Sequence, residues 1–226
     1  VSLPGIRACV FDAYGTLFDL GCIPRSVKDQ MGDKAEALMR FWRRRQLELS
    51  WLPLRSGVTA DFWRVTDEAL DFALQSVGWE DDYRLRSRLM EGWLTPEPYP
   101  EVPVTMERLR AGGLRTAILS NGTPRMLESA VTACGVKDHL DAVLSAQSVG
   151  RFKPDPAVYN LAAAHFGLAP ESVCFVSGNA WDVSGASAYG FQVIWINRDG
   201  VPAEKLPRGT RATVADLAGL PAVLGV

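Results

Sequence analysis

The residue best placed for chemistry in this 226-residue chain is Asp12. An apolar run from Ile6 to Phe11 ends on it and the turn Ala13-Tyr14-Gly15-Thr16 follows, so the acid stands where a buried strand opens onto a loop. Ligands gather at the carboxyl ends of strands in open α/β sheets. A carboxylate there meets substrate from a rigid backbone and suits the role of nucleophile. A second strand end, Ala117-Ile118-Leu119-Ser120-Asn121-Gly122, brings a hydroxyl and an amide that donate to an anion without adding charge. A third segment, Phe152-Lys153-Pro154-Asp155-Pro156 followed by Tyr159, sets a lysine in a loop before a helix that the prolines start. An ammonium beside Asp12 favours the carboxylate that must attack. The fourth, Phe175-Val176-Ser177-Gly178-Asn179-Ala180-Trp181-Asp182, ends another apolar run on small polar residues and an acid. Each also has a plain structural reading: Asp12 as a turn residue, Ser120 and Asn121 as helix caps, Lys153 as a solvated charge. Likewise Tyr159 and Trp181 fit packing, and Asp182 fits a first-turn acid facing a helix dipole.

Positioning these groups needs a sheet and something to close over it. Leu114 to Leu119, Ala142 to Leu144, Val173 to Val176 and Gln192 to Asn197 read as short buried strands with helical stretches between them. That alternation predicts a parallel sheet wrapped by helices, an α/β fold. Ala212 to Val214 and the short helical pattern after it read as the sheet's edge and its cover. Between about Pro24 and Trp93 the pattern is helical, rich in Arg and Trp, and without a convincing strand. Helices are expected over Ala35 to Trp51 and Phe62 to Val77, broken at Pro53 and Gly57, and Pro96, Pro98, Pro100 and Pro103 form a stiff returning linker. The expected division is a core of residues 1–20 and 100–226 and an inserted helical cap of 21–99.

With 47% apolar residues the chain has enough material for a substantial core. A net charge of −2 argues against a nucleic-acid partner, which needs a basic face. No apolar run reaches bilayer-spanning length and no secretory leader is visible, so a soluble protein with no membrane partner is expected. Cys9, Cys22, Cys134 and Cys174 show neither zinc spacing nor a disulfide framework, which fits the cytoplasm. His139 and His165 fall near no motif, and Asp19, Asp155 and Asp199 read as turn or cap residues.

The four segments, in this order, resemble the motifs of the haloacid dehalogenase superfamily, over a span from Ile6 to about Arg198. Asn179-Ala180-Trp181-Asp182, and the pattern Trp42-Arg43-x-x-Gln46-Leu47-Glu48, resemble its (S)-2-haloacid dehalogenase family. The resemblance implies a Rossmann-like core under a helical cap, with Asp12 attacking the substrate and carrying it as an ester. Phosphatases of the superfamily place a second Asp two residues after the first, where this chain has Tyr14. An alkoxide leaving group needs a proton from such an acid, whereas halide leaves as a stable anion. In those phosphatases the fourth motif also supplies acids for magnesium. Here Ser177 and Asn179 hold the corresponding positions, which leaves Asp12 and Asp182 as a poor magnesium pair. No metal and no other cofactor is implied.

By the same resemblance Ser120 holds the substrate carboxylate, Asn121 and Arg43 receive the halide, and Lys153 keeps Asp12 charged with Tyr159 as a supporting donor. Asp182 orients or deprotonates the water that opens the ester. Thr16, Ser177 and Asn179 join the catalytic set, while Tyr14, Leu47, Phe62 and Trp181 line the pocket. Of three consecutive arginines, Arg43, Arg44 and Arg45, at most two can face one crevice. Gly178 replaces a serine usual in the family, an exchange expected to matter little. The implied reaction converts short L-2-haloacids to D-2-hydroxy acids with inversion. The implied partners are a 2-haloacid, a halide ion and a second copy in a homodimer. A magnesium-dependent phosphatase acting on a small phosphomonoester, or an inactive binding protein on the same fold, stays open.

Overall fold

The computed structural model describes residues 3–52, 61–202 and 210–226. Pro53 and Gly57, read as breaks between cap helices, lie outside the described residues. The first strand, β1 (Ala8–Phe11), is buried along its whole length, as an unbroken apolar run requires when both faces of a parallel sheet are covered. It pairs in parallel with β4 (Arg115–Ser120) on one side and β6 (Val173–Ser177) on the other. Outside these lie β5 (Ala142–Ser145), β7 (Gln192–Ile196) and β8 (Ala212–Val214), all parallel, in the order β5-β4-β1-β6-β7-β8. The chain therefore runs outward on one side of β1 and then returns to its other side. This reversal opens a crevice at the strands' carboxyl ends. Phe11 stands opposite both Ile118 and Val176, so Asp12, one residue on, emerges level with the ends of both neighbours.

Alternation along the strands splits the core between the two faces. Val10, Ala117, Leu119 and Phe175 pack with Val158, Tyr159 and Ala162 of α8 (Pro156–Phe166) and Val183 and Ala186 of α9 (Ala180–Tyr189). Cys9, Phe11, Ile118 and Val176 face the other way, toward α6 (Val102–Ala111), α7 (Pro124–Ala133) and α10 (Leu220–Leu224). Through Tyr14, Leu17 and Phe18 this second cluster continues without a break into Leu38, Trp42, Phe62, Leu70 and Trp93. The helical insertion thus shares a core with one face of the sheet.

The insertion leaves and re-enters through a small antiparallel ribbon, β2 (Phe18–Asp19) against β3 (Glu97–Pro98). Between them run α1 (Cys22–Ser26), α2 (Lys28–Met31), α3 (Lys34–Trp51), α4 (Phe62–Val77) and α5 (Tyr83–Glu91), with no strand among the described residues. Helix α3 buries Ala35, Leu38, Trp42, Gln46 and Ser50, a stripe at helical spacing. Helix α4 starts where the Asp61 carboxylate accepts the N–H groups of Trp63 and Arg64, and stops at Gly78, whose φ of +71° favours glycine. Pro103 belongs not to the returning linker but to the first turn of α6, where its fixed φ and missing N–H cost nothing.

Candidate active site

Beyond β1 the backbone N–H of Asp12 still donates to Val176 O at 3.0 Å. The chain then folds back, with the N–H groups of Thr16, Leu17 and Phe18 all donating to Ala13 O and Gly15 at φ +82°. That turn brings Thr16 Oγ1 to 3.0 Å from Asp12 Oδ2. Asn179 Nδ2 donates to the same oxygen at 2.8 Å, and Ser177 Oγ reaches it at 3.5 Å from the end of β6. The other oxygen, Oδ1, meets Lys153 Nζ at 3.1 Å. Asp12 is therefore asymmetric: three donors converge on Oδ2, and Oδ1 keeps a lone pair for a new bond.

Lys153 is 1% exposed, and its Nζ also lies 2.8 Å from Asp182 Oδ2. Burial opposes the ammonium, but Asp12 and Asp182 outweigh it and hold the lysine pKa above its ordinary value. Asp182 is buried at the start of α9, and this desolvation, reinforced by Asp12, pushes its carboxyl up to about 6. Lys153 and the Tyr159 hydroxyl, which donates to Asp182 Oδ1 at 2.7 Å, pull the other way. Tyr159 is raised by burial and by Asp182, so it stays a phenol. Among the described residues no group of three or more His, Cys, Asp or Glu is arranged to hold a metal ion. The two converging carboxylates share the lysine ammonium between them.

Asn121 Oδ1 accepts the Lys153 backbone N–H at 2.8 Å, which turns its Nδ2 outward as a free donor. Across the crevice Arg43, partly buried on α3, bridges insertion and core: Nη1 donates to Gln46 Oε1 at 2.5 Å and Nη2 approaches Asn179 Oδ1 at 3.5 Å. Burial pulls its pKa below the ordinary arginine value against the attraction of Asp12 and Asp182. Arg44 and Arg45 pair with Glu48 instead. The Trp181 Nε1 is buried and has no partner among the described residues. Tyr14, where the superfamily's phosphatases have an acid, is a buried phenol whose pKa is raised by desolvation. Its hydroxyl donates to Trp93 O at 2.9 Å, so its proton is committed away from the crevice.

Nine of the residues singled out from the sequence line one cavity: Asp12, Tyr14, Ser120, Asn121, Lys153 and Trp181 from the core side, Arg43, Leu47 and Phe62 from the insertion. Thr16, Ser177 and Asn179 join it through Asp12, Asp182 joins through Lys153, and Tyr159 through Asp182. The cavity measures about 20 Å³, against the roughly 10–15 Å³ that one water requires. At that size it holds about one water, with the Arg43 guanidinium, the Lys153 ammonium and the Trp181 indole among its walls.

Sequence reasoning missed several supporting residues. Gly178 is not an indifferent exchange: a Cβ there would stand 2.4 Å from Gly15 O. The close approach lets Gly178 N donate to Thr16 Oγ1 at 2.9 Å and so fixes the hydroxyl beside Asp12. Arg198 Nη2 holds Thr16 O at 3.1 Å from the far side of the turn. Gln46 and Thr66, bonded to each other at 2.7 Å, lie behind Arg43. The glutamine's spacing, four residues after Trp42 on the buried stripe, was the available signal.

Residues 6–190 match the sequence model of the haloacid dehalogenase-like hydrolases. The (S)-2-haloacid dehalogenase 4A of Burkholderia cepacia is 46% identical over 199 residues, 88% of this chain and 86% of that protein. A crystal structure of a dehalogenase superposes with a TM-score of 0.95 at 43% identity, over 99% of both chains. The L-2-haloacid dehalogenase of Xanthobacter autotrophicus with chloropropionic acid covalently bound superposes at 0.86 with 34% identity, over 96% of this chain and 97% of that one. Motif order, sheet order and the length of these matches agree, and the chain belongs to the haloacid dehalogenase-like hydrolase family.

Proposed function

We propose that the protein hydrolyses short L-2-haloacids to D-2-hydroxy acids through an aspartyl ester on Asp12. The observation that carries this reading is the asymmetry of that carboxylate. Asp12 Oδ1 attacks the carbon bearing the halogen from the side opposite the leaving group, the C–X bond breaks, and halide departs with its electron pair. The Arg43 guanidinium, Asn121 Nδ2 and Trp181 Nε1 receive it, while Ser120 holds the substrate carboxylate. Oδ2 then becomes the ester carbonyl oxygen. Its donors Thr16, Asn179 and Ser177 already point at the place where negative charge develops when water adds to the ester carbon. Asp182, kept poised by burial, takes the water's proton; the Cγ–Oδ1 bond then breaks, the departing alkoxide of the hydroxy acid takes that proton back, and Lys153 steadies both carboxylates. Inversion occurs once, because the second attack is on the aspartyl carbonyl and not on the substrate carbon.

Residues 21–99 act in this reading as the cap that brings Arg43, Leu47 and Phe62 over the core and keeps water scarce around the reacting atoms. No divalent ion takes part, since the ammonium of Lys153 lies where the two acids converge. The relatives' names support the substrate class. We place the protein in the cytoplasm, a location favoured by four free cysteines. We also propose a homodimer, with the open apolar groove of Leu20, Pro24, Met39, Leu47 and Trp51 along α3 as the contact. No helix among the described residues is long and apolar enough to cross a membrane.

The test is halide release from the two 2-chloropropionate enantiomers beside phosphate release from a generic phosphomonoester, with and without a chelator. Chloride from the L enantiomer, D-lactate as product, indifference to the chelator and no turnover by Asp12→Asn are expected. Phosphate release restored by magnesium, with organohalides untouched, would instead favour the phosphatase.

A further inference from the structure

We propose that Gln46 is a positioning residue: it holds the Arg43 guanidinium at the point where the halide is received, an inference that rests on the dehalogenase reading above. Gln46 is 0% exposed on a stripe of α3 it shares with Leu38 and Trp42. A buried amide is costly unless both its ends are bonded. Here they are. The Thr66 hydroxyl spends its one proton on Phe62 O at 2.6 Å, so toward Gln46 it can only accept, and it takes the amide N–H at 2.7 Å. That direction leaves Gln46 Oε1 facing Arg43 Nη1 at 2.5 Å.

The line continues through Arg43 Nη2 to Asn179 Oδ1 at 3.5 Å and from Asn179 Nδ2 to Asp12 Oδ2 at 2.8 Å. It therefore ties α4 of the insertion to the nucleophile, with the guanidinium in the middle. A leucine would fill the same stripe. What the glutamine adds is an acceptor aimed at the arginine. Its neutrality matters as much: a glutamate would pair with Arg43 and compete with the departing anion, whereas an amide orients the cation and leaves its charge for halide.

The experiment compares single-turnover halide release from L-2-chloropropionate and L-2-bromopropionate, with bromide affinity read from product inhibition, in the full-length protein. The variants are Gln46→Leu combined with Thr66→Val, and Gln46→Glu. Removing Gln46 and Thr66 together takes out both ends of their mutual hydrogen bond, which is close to neutral for folding, and the Arg43 Nη1 that loses its acceptor is only partly buried, so the double variant should stay folded with at most a modest fall in melting temperature. Its chloride release should fall at least about tenfold, since small misplacement of a reacting group costs up to about 100-fold. Bromide release should fall less, because the better leaving group needs less help, and bromide inhibition should weaken. Gln46→Glu should weaken bromide inhibition as well. Wild-type rates and an unchanged chloride-to-bromide ratio in the folded variants would overturn the inference alone. A wild-type protein that releases no halide would overturn the dehalogenase reading and this inference with it.

Discussion

Two acids share one ammonium in this crevice, and in the proposed reaction their different surroundings divide the work between them. Asp12 is ringed by donors in the wall of the cavity, and Asp182 is buried beside Lys153 with its carboxyl pushed up to about 6 by burial. A base must be unprotonated to act, and the ester removes the Asp12 charge that helps to raise Asp182, so ester hydrolysis should lose rate as pH falls below about 6, measured as decay of the ester intermediate after a single turnover. Tyr159 pulls the Asp182 pKa downward through its hydrogen bond. Tyr159→Phe should therefore move that acid limb to higher pH, and an unmoved limb would remove the tyrosine from the hydrolytic step. These residues were legible in the sequence because an acid, a lysine and an Asn-Ala-Trp-Asp string stand at abrupt strand ends. Thr66 was not, and Gln46 appeared only as one letter of a family pattern, since a glutamine after three arginines looks solvated until its spacing from Trp42 is read on the buried stripe of α3.

Strands and long helices were readable because their apolar spacing is set by burial on known faces: α4 runs over Phe62–Val77 as expected, and β8 over Ala212–Val214. Two-residue strands such as β2 and β3 carry no such period, and the ribbon that closes the insertion was invisible for that reason. Glycines inside elements were equally silent. Gly185 lies within α9, and a Cβ there would meet Tyr159 Oη at 2.5 Å and Pro154 Cβ at 2.6 Å. Alanine ordinarily stabilises a helix over glycine by about 1 kcal/mol, while overpacking a tight contact costs about 1–3 kcal/mol. Gly185→Ala should then lower the melting temperature and slow ester hydrolysis by displacing the tyrosine from Asp182. A higher melting temperature with an unchanged rate would show that α9 has room to spare.

At the scale of the whole molecule, insertion and core are one hydrophobic body joined at Trp93. Its ring lies against Tyr14 from the core and Trp42 and Phe62 from the insertion, and its carbonyl accepts the Tyr14 hydroxyl. Trp93→Ala should cost about 3–5 kcal/mol, seen in urea unfolding as a lower midpoint, and should reduce turnover because Arg43 and Phe62 lose their support. The change of pattern after Leu17 and the later prolines made the insertion itself legible. That it would share a core with the sheet was not, because periodicity reports a buried face but not its partner. If α3 carries the dimer contact, sedimentation equilibrium should return twice the 24.7 kDa chain mass, and Met39→Glu should return the chain mass alone.

In the proposed reaction the oxygen delivered to the product comes first from Asp12. A single turnover of L-2-chloropropionate by excess enzyme in heavy-oxygen water tests it directly by mass spectrometry of both product and protein. Unlabelled hydroxy acid, with one heavy oxygen gained on the peptide carrying Asp12, is the predicted result; heavy oxygen in the product of that first turnover would mean that water strikes the substrate carbon itself and would contradict the account.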